Sequence, residues 1–209
     1  MKSFIIIGLL VCFYQVHAQF VGQVTYKQHI KFNTSGHNDS LFQVTYGDKA
    51  VMIFQDGNYR MEFNGLRHFI VIYSVLDHKI YRISNMSDTV QYLDDSLPIK
   101  LTNIPTVEET DEFVLGQRCK KISFYSAANE YTYFFSNKYG LSPYDYQFQK
   151  HDGYDKYVRI AKAVPLKMIY KTKIFTIEST AEDIRAGRVS TENFVVPNGP
   201  FTKLILPTY

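Results

Sequence analysis

Between Glu112 and Asn137 the chain reads EFVLGQRCKKISFYSAANEYTYFFSN, in which Tyr131, Tyr133 and Phe135 alternate with Glu130, Thr132 and Ser136. A period of two sends the two sets to opposite faces of an extended strand, which a helix does not do. The stretch reads as two strands. Ala127-Ala128-Asn129 joins them, with Asn129 suited to left-handed turn backbone. The first strand carries Cys119. A chain built around this pattern needs a sheet with one apolar face, and something to cover that face.

The same alternation recurs along the chain. In Gly22–Phe32, Val24, Tyr26, Ile30 and Phe32 face one way with Gln28, while Thr25, Lys27, His29 and Lys31 face the other. Residues 33–40 are a loop by composition, and Leu41–Tyr46 is expected as a short helix capped by Ser40. Lys49–Asn64 is a hairpin turned at Asp56-Gly57, with Tyr59, Met61 and Phe63 inward. His68–Tyr73 is apolar on both faces and so requires a cover on each, or a central place in the sheet. Lys79–Ile83 and Thr89–Leu93 extend the meander, and Asp94–Glu109, with Pro98 and Pro105, reads as a long crossing loop. After the aromatic, irregular stretch Tyr139–Asp155, a weak helical spacing runs through Tyr157, Val158 and Ala161 and is ended by Pro165. Leu166–Tyr170 and Lys173–Asp183 form a last long pair, and Ser190–Phe194 a short turn with Ser190 as cap.

Residues 1–18 are read as a secretory leader. Lys2 is followed by the apolar run Phe4–Phe13, and Val16-His17-Ala18 precedes a cleavage point at Gln19. A lipid anchor on Cys12 is disfavoured because Val11 stands where a small residue is expected. Removing the leader leaves Cys119 as the lone cysteine, so no internal disulfide is available and the core must hold the fold. The chain has 17 Tyr, 16 Phe and no Trp, a composition that favours strands. Its formal net charge of +3 is scattered, which gives no reason to expect nucleic acid as a partner. No other segment is long enough for a membrane helix.

Roughly ten antiparallel strands with one or two small helices predict a mainly β, single domain over 19–209: one strongly curved sheet, closed on its concave side by the segments around Leu41 and Tyr157. Leu115-Gly116-Gln117-Arg118-Cys119-Lys120-Lys121, Pro165-Leu166-Lys167 and the closing Phe194-Val195-Val196-Pro197-Asn198-Gly199 resemble secreted proteins of Bacteroidetes. Those are similar in fold to the outer-membrane lipoprotein carriers LolA and LolB. The resemblance implies an incomplete β-barrel that binds acyl chains in an apolar cavity. It carries over no gating or contact residue, and shared fold does not transfer function.

No motif supplies catalysis. His29, His37, His68, His78 and His151 lack metal-ligand spacing. His151-Asp152-Gly153-Tyr154-Asp155 offers a base, carboxylates and a flexible glycine, but reads as a turn capping the following helix. Cys119 reads as a buried thiol, and Asp94-Asp95 and Glu108-Glu109 as solvated loop charge. Asn33, Asn38 and Asn85 begin glycosylation sequons. No cofactor is expected, and the chain reads as a non-enzyme.

Two functions remain open. The first is a periplasmic or secreted binding protein holding a lipid, acyl chain or lipoprotein. Its cavity-lining candidates are Val24, Tyr26, Ile30, Tyr59, Met61, Phe63, Tyr131, Tyr133 and Phe135. The second is an envelope interaction protein in which the same residues simply fill a core. It would meet its protein partner through a sheet edge or an aromatic patch at Tyr144, Tyr146 and Phe148.

Overall fold

The computed structural model describes residues 19–34, 38–94 and 100–204. The leader with Cys12, His37, and the Asp95 and Pro98 part of the crossing segment lie outside the described residues. The strands are β1 (Gly22–Phe32), β2 (Lys49–Gln55), β3 (Asn58–Phe63), β4 (Phe69–Ser74), β5 (Lys79–Ser84), β6 (Ser87–Asp94), β7 (Val107–Val114), β8 (Gln117–Tyr125), β9 (Asn129–Gly140), β10 (Ala163–Thr172), β11 (Phe175–Ala186) and β12 (Phe201–Lys203). The helices are α1 (Asp39–Tyr46) and α2 (Tyr154–Ala161).

All of these strands belong to one 12-stranded sheet, ordered β12-β6-β5-β4-β3-β2-β1-β11-β10-β9-β8-β7. Its edge strands are β12 and β7, so it does not close into a barrel. Neighbours pair antiparallel except β12, which runs parallel to β6 and departs from the all-antiparallel expectation. The sheet is strongly curved. Tyr59 on β3 and Tyr133 on β9 both lie against the Tyr154 ring, although β2, β1, β11 and β10 separate those strands.

The local chemistry explains the hairpins. Asp56 and Gly57 have φ of 50° and 77°, so both central residues of the β2–β3 turn are left-handed, as the twist of a two-residue hairpin requires. A Cβ on Gly57 would come within 2.9 Å of the Asp145 Cβ, so this glycine also admits a close approach.

Leu115 and Gly116, with φ of 50° and 70°, form a second such turn between β7 and β8. The stretch from Glu112 to Asn137 is therefore three strands rather than two, and the Leu115–Lys121 motif is a hairpin turn running into β8. The β8–β9 turn sits where expected, closed by the Ser126 N–H donating to the Asn129 carbonyl at 2.8 Å. Asn129 itself is not left-handed. It opens β9, and its side-chain amide donates to the Tyr131 hydroxyl at 3.1 Å.

Helix α1 forms where expected, but its cap is Asn38, whose side-chain oxygen accepts from the Leu41 N–H at 3.1 Å, and not Ser40. Its role is unexpected. β2 pairs with β1 only over Gly22–Lys27, which leaves the rest of that β1 edge without a strand partner. Side chains of α1 take over. Gln43 Oε1 accepts from the Ile30 N–H at 2.9 Å, and Asp39 Oδ1 from the Phe32 N–H at 2.8 Å. The helix patches a gap in the sheet.

Helix α2 instead packs on the concave face with Tyr154, Tyr157, Val158 and Ala161 buried. It ends at Lys162, in a left-handed cap, and Pro165 lies inside β10 rather than terminating the helix.

The outer cover that β4 demanded is the chain's C-terminal segment. Ile72, Tyr81 and Val90 form a second buried cluster with Ile70, Ile83, Tyr92 and Val196 packed on it. The Phe194–Gly199 motif thus lies in a strap over the outer face. The strap is held by Ser190 capping a short 3-10 turn and by β12 on β6.

Candidate functional site

The predicted inward residues separate into two groups. Val24, Tyr26, Ile30, Tyr59, Tyr131, Tyr133 and Phe135 are buried, whereas Met61 and Phe63 are half-buried. At the end of the sheet near the Asp56-Gly57 turn the concave face is filled. The Tyr133 ring stacks on Tyr157 with centroids 4.4 Å apart, and Tyr59, Tyr146 and Tyr154 close the space beside it. Burial raises the phenol pKa of Tyr133, Tyr146 and Tyr157 well above the ordinary value, so these rings are neutral, apolar filling. The Gln149 side-chain amide donates to the Tyr59 hydroxyl at 2.8 Å.

Towards its other end the concave face is less fully buried. Cross-strand partners share a face, so Met61 with Val71, and Met168 and Tyr170 beside Tyr133 and Tyr131, continue the inner surface. Met61, Phe63, Phe69, Val71, Met168 and Tyr170 are all half-buried. Phe42 and Tyr46 of α1 border this region, with Phe42 4.8 Å from the Phe32 ring and 5.8 Å from Phe175, and Tyr46 6.0 Å from Phe69.

The boundary between the two halves is the turn His151–Gly153. Asp152 adopts φ 58°, pairs with His151 at 3.3 Å, and sits close enough to Tyr131 to raise that phenol's pKa further, after burial itself. Tyr131 stacks on Tyr170 at 5.0 Å. The turn leads into α2 as expected, but no side chain caps the helix. Gly153 occupies the cap position with left-handed backbone.

Against β4, β5 and β6, this end holds a depression of ≈ 270 Å³ lined by Arg67, Phe69, Arg82, Ser84, Thr89 and Gln91, with Ile83, Met86 and Ser87. Arg82 stands opposite Val71 and Gln91 and so faces inward. Its positive charge reaches Tyr170 and slightly offsets the burial that raises this phenol's pKa. A second, shallow depression of ≈ 390 Å³ lies at Asn33, the Ser126–Asn129 turn and Lys171–Lys173. None of the buried inward residues lines either depression.

The other candidates have structural surroundings. Cys119 is buried, and burial raises its thiol pKa, the opposite of an activated nucleophile. His68 pairs with Glu62 at 2.8 Å, and His78 packs on Phe148 at 4.0 Å. Glu108 and Glu109 lie in β7, not in a loop, and pair with Lys121 and Lys120 at 2.9 Å and 3.1 Å. Among the described residues no group of three or more His, Cys, Asp or Glu could hold a metal ion. Asn33, Asn38 and Asn85 are exposed, but each side chain already bonds a backbone group. Tyr144 is 78% exposed while Tyr146 is fully buried, so Tyr144, Tyr146 and Phe148 form no continuous patch. No helix among the described residues is long and apolar enough to cross a membrane.

Sequence reasoning missed the half-buried residues Phe69, Arg82, Met168 and Tyr170. The strands carrying them were legible, but which end of the concave face α2 fills depends on tertiary packing.

No protein-family model matches the chain, and no curated protein matches it significantly. Among solved structures it is similar to PNGF-II in two crystal forms, at 10% and 12% identity and TM-scores of 0.48 and 0.47. Each alignment covers 88% of this chain and 32% or 31% of the other, so the chain spans about a third of that protein's length. At such identity and TM-score the two chains need share neither ligand nor activity.

Proposed function

We propose that this is an exported, non-catalytic binding protein of the LolA/LolB-like incomplete-barrel kind, which holds an acyl chain or other apolar ligand at the less fully buried end of its concave face. The observation that carries this reading is the uneven filling of that face. α2 and its tyrosines pack one end, while Met61, Phe63, Phe69, Val71, Met168 and Tyr170 are only half-buried towards the other. An apolar inner surface that packs on the core along one side and stays partly accessible is the kind of surface that takes a ligand. The predicted leader at residues 1–18 accords with export.

The test is native mass spectrometry of the chain from Gln19 onward, purified from a bacterial periplasm, with lipid extraction of the same sample. An acyl species at defined stoichiometry, reduced in Phe63→Ala and retained in Tyr144→Ala, is the expected result. A ligand-free mass with no lipid in the extract would overturn the proposal. It would favour the second reading, an envelope interaction protein, for which β7 as an edge strand with Phe113 63% exposed is the supporting feature. That edge carries Glu108, Glu109, Asp111 and Glu112, charges that discourage strand addition.

A further inference from the structure

We infer that the ligand is an amphiphile with an anionic head, a carboxylate or a phosphate ester, seated on Arg82 and Arg67 while its apolar part lies along the half-buried inner wall. This rests on the binding function proposed above and names the ligand class for that site. Three observations carry it.

The first is the charge of the depression at β4–β6. Its lining includes Arg67 and Arg82 but no Asp or Glu. The remaining polar lining, Ser84, Ser87, Thr89 and Gln91, can donate hydrogen bonds to oxygen.

The second is the state of Arg82. It is half-buried on an inner face, and among the described residues it makes no hydrogen bond or ion pair. Among the described residues two other half-buried cations are paired, Arg60 with Glu62 at 2.8 Å and Lys167 with Glu112 and Glu178 at 3.0 Å each, whereas Lys79, Lys150 and Lys156 are half-buried without an ion pair. A guanidinium withdrawn from water gains most from a carboxylate or phosphate in its plane.

The third is continuity. Phe69 belongs both to the depression and to the half-buried apolar wall, and Arg82 is near enough to influence Tyr170 on β10. A head on the arginines therefore directs its chain onto Phe69, Val71, Met61 and Tyr170. An unsubstituted hydrocarbon would leave the guanidinium half-desolvated and unpaired.

The experiment compares dodecanoate and dodecyl phosphate, each below its micelle concentration, with dodecanol below its solubility limit, by isothermal titration calorimetry on the chain from Gln19 onward. The variants are Arg82→Gln, Arg82→Lys and Arg67→Gln. Melting curves confirm folding, and Arg67, being exposed, is replaceable without harm to the core.

Both anions should bind at least about ten-fold more tightly than the alcohol, as a charge-assisted, bidentate contact predicts. Arg82→Gln should remove that advantage while leaving dodecanol unchanged, and Arg82→Lys should recover part of it. A preference for dodecanoate over dodecyl phosphate, or the reverse, tells a fatty acid from a phospholipid-like head. If all three bind equally and Arg82→Gln changes nothing, the anionic head is refuted and the apolar site survives. If none binds, the binding function itself fails.

Discussion

Tyr133→Ala separates a packed core from a ligand-lined cavity at the filled end. The ring is 6% exposed and stacks on Tyr157 at 4.4 Å, with edge contacts to Phe124 at 6.0 Å and Tyr154 at 6.2 Å. Removing a buried aromatic ring costs about 3–5 kcal/mol through lost transfer energy and the void it leaves. The lost ring pairs each add about 0.5–1.5 kcal/mol beyond their area. α2 packs on this ring from one side, so partial collapse of the helix recovers some of the loss. The expected net cost is about 4 kcal/mol, a large share of the roughly 5–15 kcal/mol that holds a domain together. Guanidinium unfolding followed by far-ultraviolet circular dichroism measures it, as a lower midpoint at unchanged slope. Tyr144→Ala, at a 78% exposed position, is the control and should stay within about 0.5 kcal/mol. A Tyr133→Ala loss below about 1.5 kcal/mol would refute the packed-core reasoning.

Gly57→Ala should cost about 1–2 kcal/mol by the same measurement, because φ of 77° is left-handed and the new methyl would press on Asp145; a neutral result would show that the hairpin turn is not as described. For Glu62, burial raises the carboxyl pKa, but the bonds from Arg60 and His68 outweigh it and the net shift is downward. A depressed folded pKa contributes stability that is present above the unfolded value, about 4.3, and is lost as pH falls through the lower folded one. Glu62→Gln should therefore flatten the acid side of the stability profile, and an unchanged acid limb would count against the Arg60–Glu62–His68 cluster. Cys119, buried with a raised pKa, should react with a thiol reagent at the rate of unfolding and not before; rapid labelling of the native chain would contradict its burial.

Much of the strand set was legible because alternation is a local signal. Val24, Tyr26, Gln28 and Ile30 lie on one buried face of β1 as their spacing requires, and Asp56-Gly57 turns the hairpin its dipeptide announces. The missed turn at Leu115-Gly116 shows the limit of that reading. Leucine is a poor left-handed residue, so only the glycine signalled it, inside an otherwise strand-like run. The cap of α1 was misplaced because Asn38, Asp39 and Ser40 are all good cap residues and geometry selects among them.

The sequence by itself determined a mainly β chain with an apolar inner face and a doubly apolar β4, since these follow from residue type and period. Only the tertiary structure decided that the C-terminal strap covers β4 and that α1 replaces a missing strand beside β1. It also decided that α2 fills one end of the curve and leaves Phe69, Arg82 and Tyr170 at the other. Such choices rest on contacts between segments far apart in the chain. No local pattern encodes which of several apolar faces will meet, because that depends on the curvature of the whole sheet.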